Sequence, residues 1–422
     1  MKKILIISYF FPPLGGPGVQ RVLKFVKYLP DFGWEPIVLT VKNIEYIAYD
    51  KSLLKEIPNA QIHRTESLDP MRLLYFLEKF RNKKSRIYTE TSDAKRSFFR
   101  DIFPIDSKIG WLPFAYHEGC KLIKENAIDA LFATVGPYSS SILGYKLAEK
   151  FHIPLIIDYR DLWKGKPDIS YYSKFHQRFS DKYERRSLEA AAKVIVCTKS
   201  MKSQLQFHFP KAAKSKIDVI FNGWDKQEFD KVKPDSKSQD KFVITYTGGF
   251  YGEQTPKFFI DAVSDLILEN KLPENTEIRF VGNFYKCIKD ILSIPKLKKV
   301  MKIIPQVSHQ ESIRYMKESD VLLLFIAKEN SDSIITQKLF EYLAVQKLIL
   351  AMIPVKGDAS KILQETNTAL ISEIDDINEI KSNIIRIIEI SRNGNKIFDF
   401  SENMQFERKS LTGKLAEILN KL

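Results

Sequence analysis

Ile4-Leu5-Ile6-Ile7-Ser8-Tyr9-Phe10-Phe11-Pro12-Pro13-Leu14-Gly15-Gly16-Pro17-Gly18 opens the chain with an apolar run of strand length that breaks into a proline and glycine loop. Beyond the loop, Val19, Val22, Val26 and Leu29 recur at helical spacing, and the pattern stops before Pro30. Gly33 marks a turn, and Pro36-Ile37-Val38-Leu39-Thr40 reads as a second strand. Strand, helix, strand in that order is a βαβ unit, which predicts a parallel sheet. Lys2-Lys3 ahead of the first run imitates a secretory leader, but the run is short and no small-residue cleavage site follows it. It reads as a buried strand.

The same rhythm continues outward. Leu131 to Thr134 enters Gly136-Pro137, Pro154 to Asp158 forms another strand, Lys193 to Cys197 a third, and Asp218 to Phe221 ends at Asn222-Gly223. Residues 226–241 are polar and charge-rich. A second series then starts at Phe242 to Tyr246, followed by Glu277 to Val281, Val321 to Ile326 and Leu348 to Ile353, with Ser308-His309-Gln310-Glu311 reading as a capping box between them. The expectation is an α/β protein of two Rossmann-like parallel-sheet domains, 1–222 and 242–403, with a linker at 223–241. Phe406, Leu411, Leu415, Ile418 and Leu419 give 404–422 the pattern of an amphipathic helix packing back toward the N-terminal domain. In open parallel sheets ligands bind outside the carboxyl ends of the strands, so two such domains facing each other would create a cleft.

Composition narrows the function. A chain of 422 residues with 44% hydrophobic content buries a sizeable core and exceeds one ordinary domain. No apolar stretch reaches membrane-spanning length. Cys120, Cys197 and Cys287 lie far apart, without metal-ligand or disulfide spacing, which fits a reducing, cytoplasmic compartment. The six histidines show no metal pattern. A net charge of +14 attracts anions, but the basic residues are dispersed and no nucleic-acid-binding module is present. Residues 71–100 concentrate nine basic against three acidic residues among Leu73, Leu74, Tyr75, Phe76, Phe80, Tyr88, Phe98 and Phe99. That pattern suits a helix lying on an anionic membrane, at the inner face of the cell membrane, and equally a solvated helix on the first domain.

Four segments carry candidate chemistry. The loop Gly15-Gly16-Pro17-Gly18 lets backbone N–H groups approach an anion or sugar at a helix start, or it is a plain strand-to-helix turn. It nearly matches the dinucleotide fingerprint GxGxxG, but Arg21 stands where the last glycine packs helix on strand. Asp158-Tyr159-Arg160-Asp161-Leu162-Trp163 places three charges at a strand end. Arg160 there grips a carboxylate or phosphate, or forms a structural pair with Asp158 or Asp161. Thr247-Gly248-Gly249-Phe250-Tyr251-Gly252 is a second flexible loop at a strand end. Gln337-Lys338-Leu339-Phe340-Glu341-Tyr342-Leu343-Ala344 is the most informative, because Lys338 and Glu341 share one helical face. A cation there neutralises phosphates while the carboxylate accepts ribose hydroxyls; an ordinary surface ion pair is the alternative.

The assembled order resembles the GT-B glycosyltransferases, specifically family 4, over nearly the whole chain. The carriers are Pro12-Pro13-Leu14-Gly15-Gly16 with Arg21, Gly136-Pro137-Tyr138-Ser139, Asp158 to Trp163, Asn222-Gly223-Trp224-Asp225, Tyr246 to Gly249, Phe280-Val281-Gly282, Glu318 to Leu324 and Lys338 to Ala344. The resemblance implies sugar transfer from a nucleotide-diphosphate sugar to a sugar or lipid-linked acceptor in polysaccharide or glycoconjugate synthesis, without metal or cofactor and with retention at the anomeric carbon. It implies donor contacts at Glu341, Lys338, Gly249, Phe250, Gly282, Asn283 and Ser333. Acceptor contacts fall on Gly15, Gly16, Tyr138 and Asp158, and catalytic roles on Lys338, Gly16, Arg160 and Asp161. Glu341 matches the ribose-binding glutamate of the family's pair, and Ser333 stands at the place of the other. Gly249 stands near the place of the family's arginine, Lys257 loosely near that of its lysine, and Lys338 is the replacement cation. A nucleotide-binding scaffold and a nucleotide-sugar epimerase of the same fold are the competing classes.

Overall fold

The computed structural model describes residues 1–46, 49–73, 75, 103, 105–164, 173–213, 216–235, 241–250, 253–284, 290, 294–328, 332–392 and 400–422. Apart from 71–73 and 75, the basic and aromatic stretch 71–100 lies outside the described residues. The chain divides into two compact units, Met1–Phe221 with Lys409–Leu422, and Asn222–Arg408.

The first unit is built on a seven-stranded sheet of β1 (Lys2–Ile7), β2 (Trp34–Val41), β3 (Gln61–Thr65), β4 (Ala130–Val135), β5 (Leu155–Tyr159), β6 (Lys193–Val196) and β7 (Ile217–Val219). Its order is β3-β2-β1-β4-β5-β6-β7, and every pairing is parallel. Ile4 lies opposite Pro36 on one side and Ala130 on the other. Ile4 to Ile7 are no more than 1% exposed, as expected of a central parallel strand covered on both faces. The helix Pro17–Tyr28 follows β1 and buries Val19, Val22 and Val26 beneath it.

The last helix, Arg408–Asn420, lays Leu411, Leu415 and Leu419 into the core of this first unit. Each of these leucines is within 1% of full burial, and each contributes roughly 1.5–3 kcal/mol of apolar burial. Asn420 Oδ1 accepts a hydrogen bond from Trp34 Nε1 at 3.0 Å, and Lys409 pairs with Asp31 at 2.7 Å.

The second unit repeats the plan with β8 (Phe242–Thr247), β9 (Thr276–Val281), β10 (Met301–Ile304), β11 (Val321–Phe325), β12 (Leu348–Met352) and β13 (Ala369–Ser372). The order is β10-β9-β8-β11-β12-β13, again parallel throughout. In both units the winding reverses beside the first strand, between β1 and β4 and between β8 and β11. Such reversal points open a crevice at the carboxyl ends of the strands.

Residues 223–241 read as a linker from their polar composition, but their first part belongs to the second unit. Asp225 caps the short helix Lys226–Asp230 by accepting from the Gln227 N–H at 3.0 Å. Trp224 and Phe229 are buried and meet edge to face at 5.9 Å. Trp224 N–H donates to Phe406 O at 3.0 Å, and Arg408 N–H donates to Trp224 O at 2.7 Å. Two aromatic anchors thus order a segment whose average character is hydrophilic.

Candidate functional site

At the reversal point of the first unit, the glycine loop meets the end of β5. Arg160 donates from Nη2 to Gly136 O at 2.6 Å. A Cβ on Gly18 would lie 1.6 Å from Arg160 Nη1, so the guanidinium lies against the first turn of helix Pro17–Tyr28 only because position 18 has no side chain. Gly16 is exposed, with φ near +104° and open space around it, while Gly15 is buried. Arg160, Gly16, Gly18 and Gly136 therefore come together, and Asp161 stays beside them with its side chain 50% exposed, 3.9 Å from Arg160 Nε. Tyr138 stacks on Trp163 at 4.8 Å, and its hydroxyl donates to Leu162 O at 3.0 Å. Its position steadies the loop that carries Arg160.

Asp158 departs from the acceptor-facing role expected of it. It is 0% exposed and forms a bidentate pair with Arg21, at 2.7 Å from Nη2 and 3.1 Å from Nε. Thr134 Oγ1 donates to the same carboxylate at 3.2 Å, and Arg21 Nη1 donates to Phe221 O at 2.8 Å. Burial opposes the charge on Arg21, but the Asp158 carboxylate outweighs it and holds the guanidinium more firmly protonated than a free arginine. The pair ties helix Pro17–Tyr28 to β5, which explains why Arg21 stands where the dinucleotide fingerprint has glycine. Of the two pairs open to Arg160, the one with Asp161 forms, at 3.9 Å, while Asp158 is taken by Arg21.

Behind the Arg160 loop lies Glu184, 0% exposed, on helix Lys174–Ala190. Its Oε1 accepts from Tyr159 Oη and the Lys164 N–H, each at 3.4 Å. Its Oε2 is buried with no hydrogen-bond partner among the described residues. Desolvation pushes this carboxyl from the ordinary 4.5 up to about 8, the Lys164 N–H opposing and Asp181 adding to the shift. The folded chain therefore keeps this proton where the unfolded chain releases it, so the group's contribution to stability is greatest below about 4.5 and is lost as pH rises toward about 8. Thermal melts of a Glu184→Gln variant are expected to match the wild type at pH 5 and to exceed it at pH 8. Parallel behaviour at both pH values would contradict a buried neutral acid.

The second unit assembles its site around helix Gln337–Val345, beside β8. Its start is anchored by Gln337 Nε2, which donates to Gly223 O at 2.9 Å, an oxygen that also accepts from Arg408 Nε at 3.2 Å. One residue on, Lys338 runs across Gly248, at the end of β8. A Cβ on Gly248, whose φ is +113°, would lie 2.4 Å from Lys338 Cε and 2.8 Å from Nζ. The ammonium stands 5.5 Å over the ring of Tyr246, whose hydroxyl is occupied by Gly249 O at 2.8 Å. Gly282, at the end of β9, abuts Gly248: a side chain there would strike Gly248 O at 2.0 Å. Asn283 beyond it is exposed, Gly249 is buried, and Ser333 is half-buried ahead of the helix. Lys257 is spent on Asp261 at 3.4 Å.

Phe250 departs from the donor-contact role expected of it. It is 2% exposed and stacks on Tyr246 at 4.6 Å within a cluster that includes Phe280, Phe284 and Phe325. A fully enclosed ring of this kind is core packing that stiffens the glycine turn.

Lys338 and Glu341 both lie half-buried, one turn apart. Among the described residues, neither side chain has a hydrogen bond or an ion pair, not even with the other. Burial lowers the affinity of Lys338 for its proton, and Glu341 offsets this only in part. Burial likewise pushes the Glu341 carboxyl upward against the fields of His309 and Lys338, with Glu228 adding to the rise and Arg408 opposing it. Two opposite charges partly withdrawn from water, without hydrogen-bond partners among the described residues, are costly, and a ligand presenting anionic oxygens to one and hydroxyl donors to the other would satisfy both. His309 and Glu228 were not singled out from the sequence. They lie 32 and 113 positions from Glu341 in the chain, and no linear pattern connects them.

Two doubly wound parallel-sheet units in succession define the GT-B class of glycosyltransferase folds. The chain belongs to Glycosyltransferase Family 4, whose model matches residues 18–228; by family it is a glycosyltransferase. No curated protein matches the chain in sequence. Among solved structures, it is similar to a sucrose-phosphate synthase from Thermosynechococcus elongatus, at TM-score 0.65 and 14% identity, over 100% of this chain and 99% of that one. It is similar to HepE of Anabaena, solved with UDP-glucose, at TM-score 0.60 and 15% identity over the whole of both chains. A candidate UDP-N-acetylglucosamine 2-epimerase from Listeria monocytogenes aligns at TM-score 0.58 and 12% identity, over 100% of this chain and 96% of that one. At such identities the likeness is one of fold. No helix among the described residues is long and apolar enough to cross a membrane.

Proposed function

We propose that this protein transfers a sugar from a nucleoside-diphosphate sugar to a sugar or lipid-linked acceptor in polysaccharide or glycoconjugate synthesis, without a metal and with retention at the anomeric carbon. The observation that carries the reading is Lys338 and Glu341 on one face of helix Gln337–Val345, beside the backbone of Gly248, neither with a hydrogen bond or ion pair among the described residues. A nucleoside diphosphate has the matching chemistry, phosphates for the ammonium and vicinal ribose hydroxyls for the carboxylate. HepE, with its bound UDP-glucose, supports a nucleotide sugar as the donor class.

In the proposed reaction the bond between the anomeric carbon and the phosphate oxygen breaks, and negative charge gathers on the departing diphosphate. Lys338 faces that charge from a partly desolvated position, where a fixed cation is worth more than in water. Within the first unit, Arg160 and the backbone N–H groups of Gly16 and Gly18 offer positive charge to an anionic ligand. The departing phosphate oxygen takes the acceptor's hydroxyl proton on the same face, so no protein nucleophile is required. The cytoplasmic side of an anionic membrane, approached through residues 71–100, is the proposed place of work for a lipid-linked acceptor.

A thermal-shift panel of UDP, GDP and ADP and their sugars tests the reading, followed by acceptor-dependent release of the nucleoside diphosphate. Stabilisation by one base family and release only with acceptor present are the expected results. Interconversion of the donor sugar without acceptor would replace transfer by epimerisation, and a flat panel would leave a scaffold.

A further inference from the structure

The segment that carries Arg160 is held at both ends by one carboxyl. Glu184 Oε1 accepts from Tyr159 Oη and from the Lys164 N–H, each at 3.4 Å, so its donors stand just before Arg160 and a few residues after it. Two more residues of helix Lys174–Ala190 grip the same stretch. Ser180 Oγ accepts from Trp163 Nε1 at 2.6 Å, and Asp181 pairs with Lys164 Nζ at 2.9 Å. Arg160 itself reaches the other way, to the glycine loop, where its Nη2 donates to Gly136 O at 2.6 Å.

Glu184 is set unlike an ordinary ion-paired carboxylate. It is 0% exposed, and its Oε2 has no hydrogen-bond partner among the described residues. The titratable groups around it are Tyr159 from β5, Lys164 from the loop and Asp181 from its own helix. The ammonium of Lys164 is engaged by Asp181. Helix Ser139–Phe151 packs on the same helix and brings Tyr145 to Tyr183, at 6.3 Å. Lys211, on the short Pro210–Ala213 helix that also packs there, is exposed. Two long hydrogen bonds do not replace the hydration of a carboxylate, so an ionised Glu184 draws in water. Lifting residues 159–164 from the helix admits it. The neutral acid needs no such opening.

We propose that Glu184 is a positioning residue for Arg160: as a neutral acid it keeps segment 159–164 seated on helix Lys174–Ala190, and on ionising it lets the segment lift and carry Arg160 off the glycine loop. What Arg160 does there rests on the sugar-transfer reading; the seating of the segment does not.

Trp163 lies inside the segment, stacked on Tyr138 at 4.8 Å, so its fluorescence reports the seating. The test is a fluorescence titration of the full chain from about pH 6 to about pH 9, with Glu184→Gln, Glu184→Ala and Trp163→Phe beside the wild type. The wild type is expected to change emission with a midpoint near the value of about 8 to which burial pushes this carboxyl. Glu184→Gln keeps the acceptor oxygen, has no proton to lose and stays flat. Glu184→Ala shows the released emission already at neutral pH, and Trp163→Phe loses the change. A flat wild type, the same transition in Glu184→Gln or a change that survives in Trp163→Phe overturns the inference. Should Glu184→Ala fail to fold, the Glu184→Gln comparison decides alone. With the donor that the nucleotide panel identifies, wild-type kcat is expected to fall about tenfold from neutral pH to one unit above that midpoint, while Glu184→Gln holds its rate. An equal fall in both overturns the link to Arg160. A panel that identifies no donor removes the transfer reading and leaves the fluorescence titration to decide the seating.

Discussion

Lys338→Ala is expected to lower donor-dependent sugar transfer by about a hundredfold or more, as for the loss of one preorganised group worth roughly 3 kcal/mol at a developing negative charge. The loss should fall mainly on kcat, because the charge that Lys338 faces is greatest as the anomeric bond breaks. Glu341→Ala is expected to act differently, raising KM for the donor with a smaller change in kcat, since ribose hydroxyls carry the same charge before and during reaction. Steady-state kinetics with donor varied at saturating acceptor separates the two. Near-normal turnover in Lys338→Ala would reject the assigned role. The geometry makes Lys338→Arg a poor substitute, since the lysine passes within contact distance of Gly248 and a guanidinium is bulkier there.

Asp158→Ala is the second large effect, and it concerns stability. Arg21 is 1% exposed, and its ion pair with Asp158 lies wholly inside the first unit. Removing the carboxylate leaves a buried guanidinium that cannot lose its proton, a change that costs about 3–5 kcal/mol. Denaturant unfolding followed by the tryptophans should show the first unit losing that stability. Asp161→Ala, whose side chain is half exposed, should stay within about 0.5 kcal/mol. Similar midpoints for the two variants would show that Asp158 is not the structural partner described above.

What the sequence discloses depends on how far apart the interacting residues stand. The strand, glycine loop and helix from Ile4 to Leu29 declare a parallel sheet because each step is a local pattern, and the same holds for β8 and its loop. Lys338 and Glu341 can be read as sharing a face because three residues span nearly one helical turn. Pairings formed by the fold are silent in the chain. Arg21 finds Asp158 across 137 positions, and the sequence offered Arg160 as the nearer candidate. Phe250 looks like a site residue because it follows two glycines, yet its ring completes an aromatic cluster drawn from three strand regions. Trp224 and Phe229 vanish into a polar average although they anchor their segment. His309 is visible as part of a capping box, and only the fold brings its imidazole to Glu228, at 3.3 Å.

The return of residues 409–422 to the first unit sets an order on biosynthesis. Leu411, Leu415, Ala416 and Leu419 complete a core whose other buried members lie before residue 221. A ribosome must therefore make the whole second unit before the first can finish folding. Until then the first sheet exists with an open apolar seam, the surface that chaperones recognise and aggregation exploits. The second unit has no such wait, since its sequence is continuous from 222 to 408. The half of the protein that is made first is thus the last to be completed.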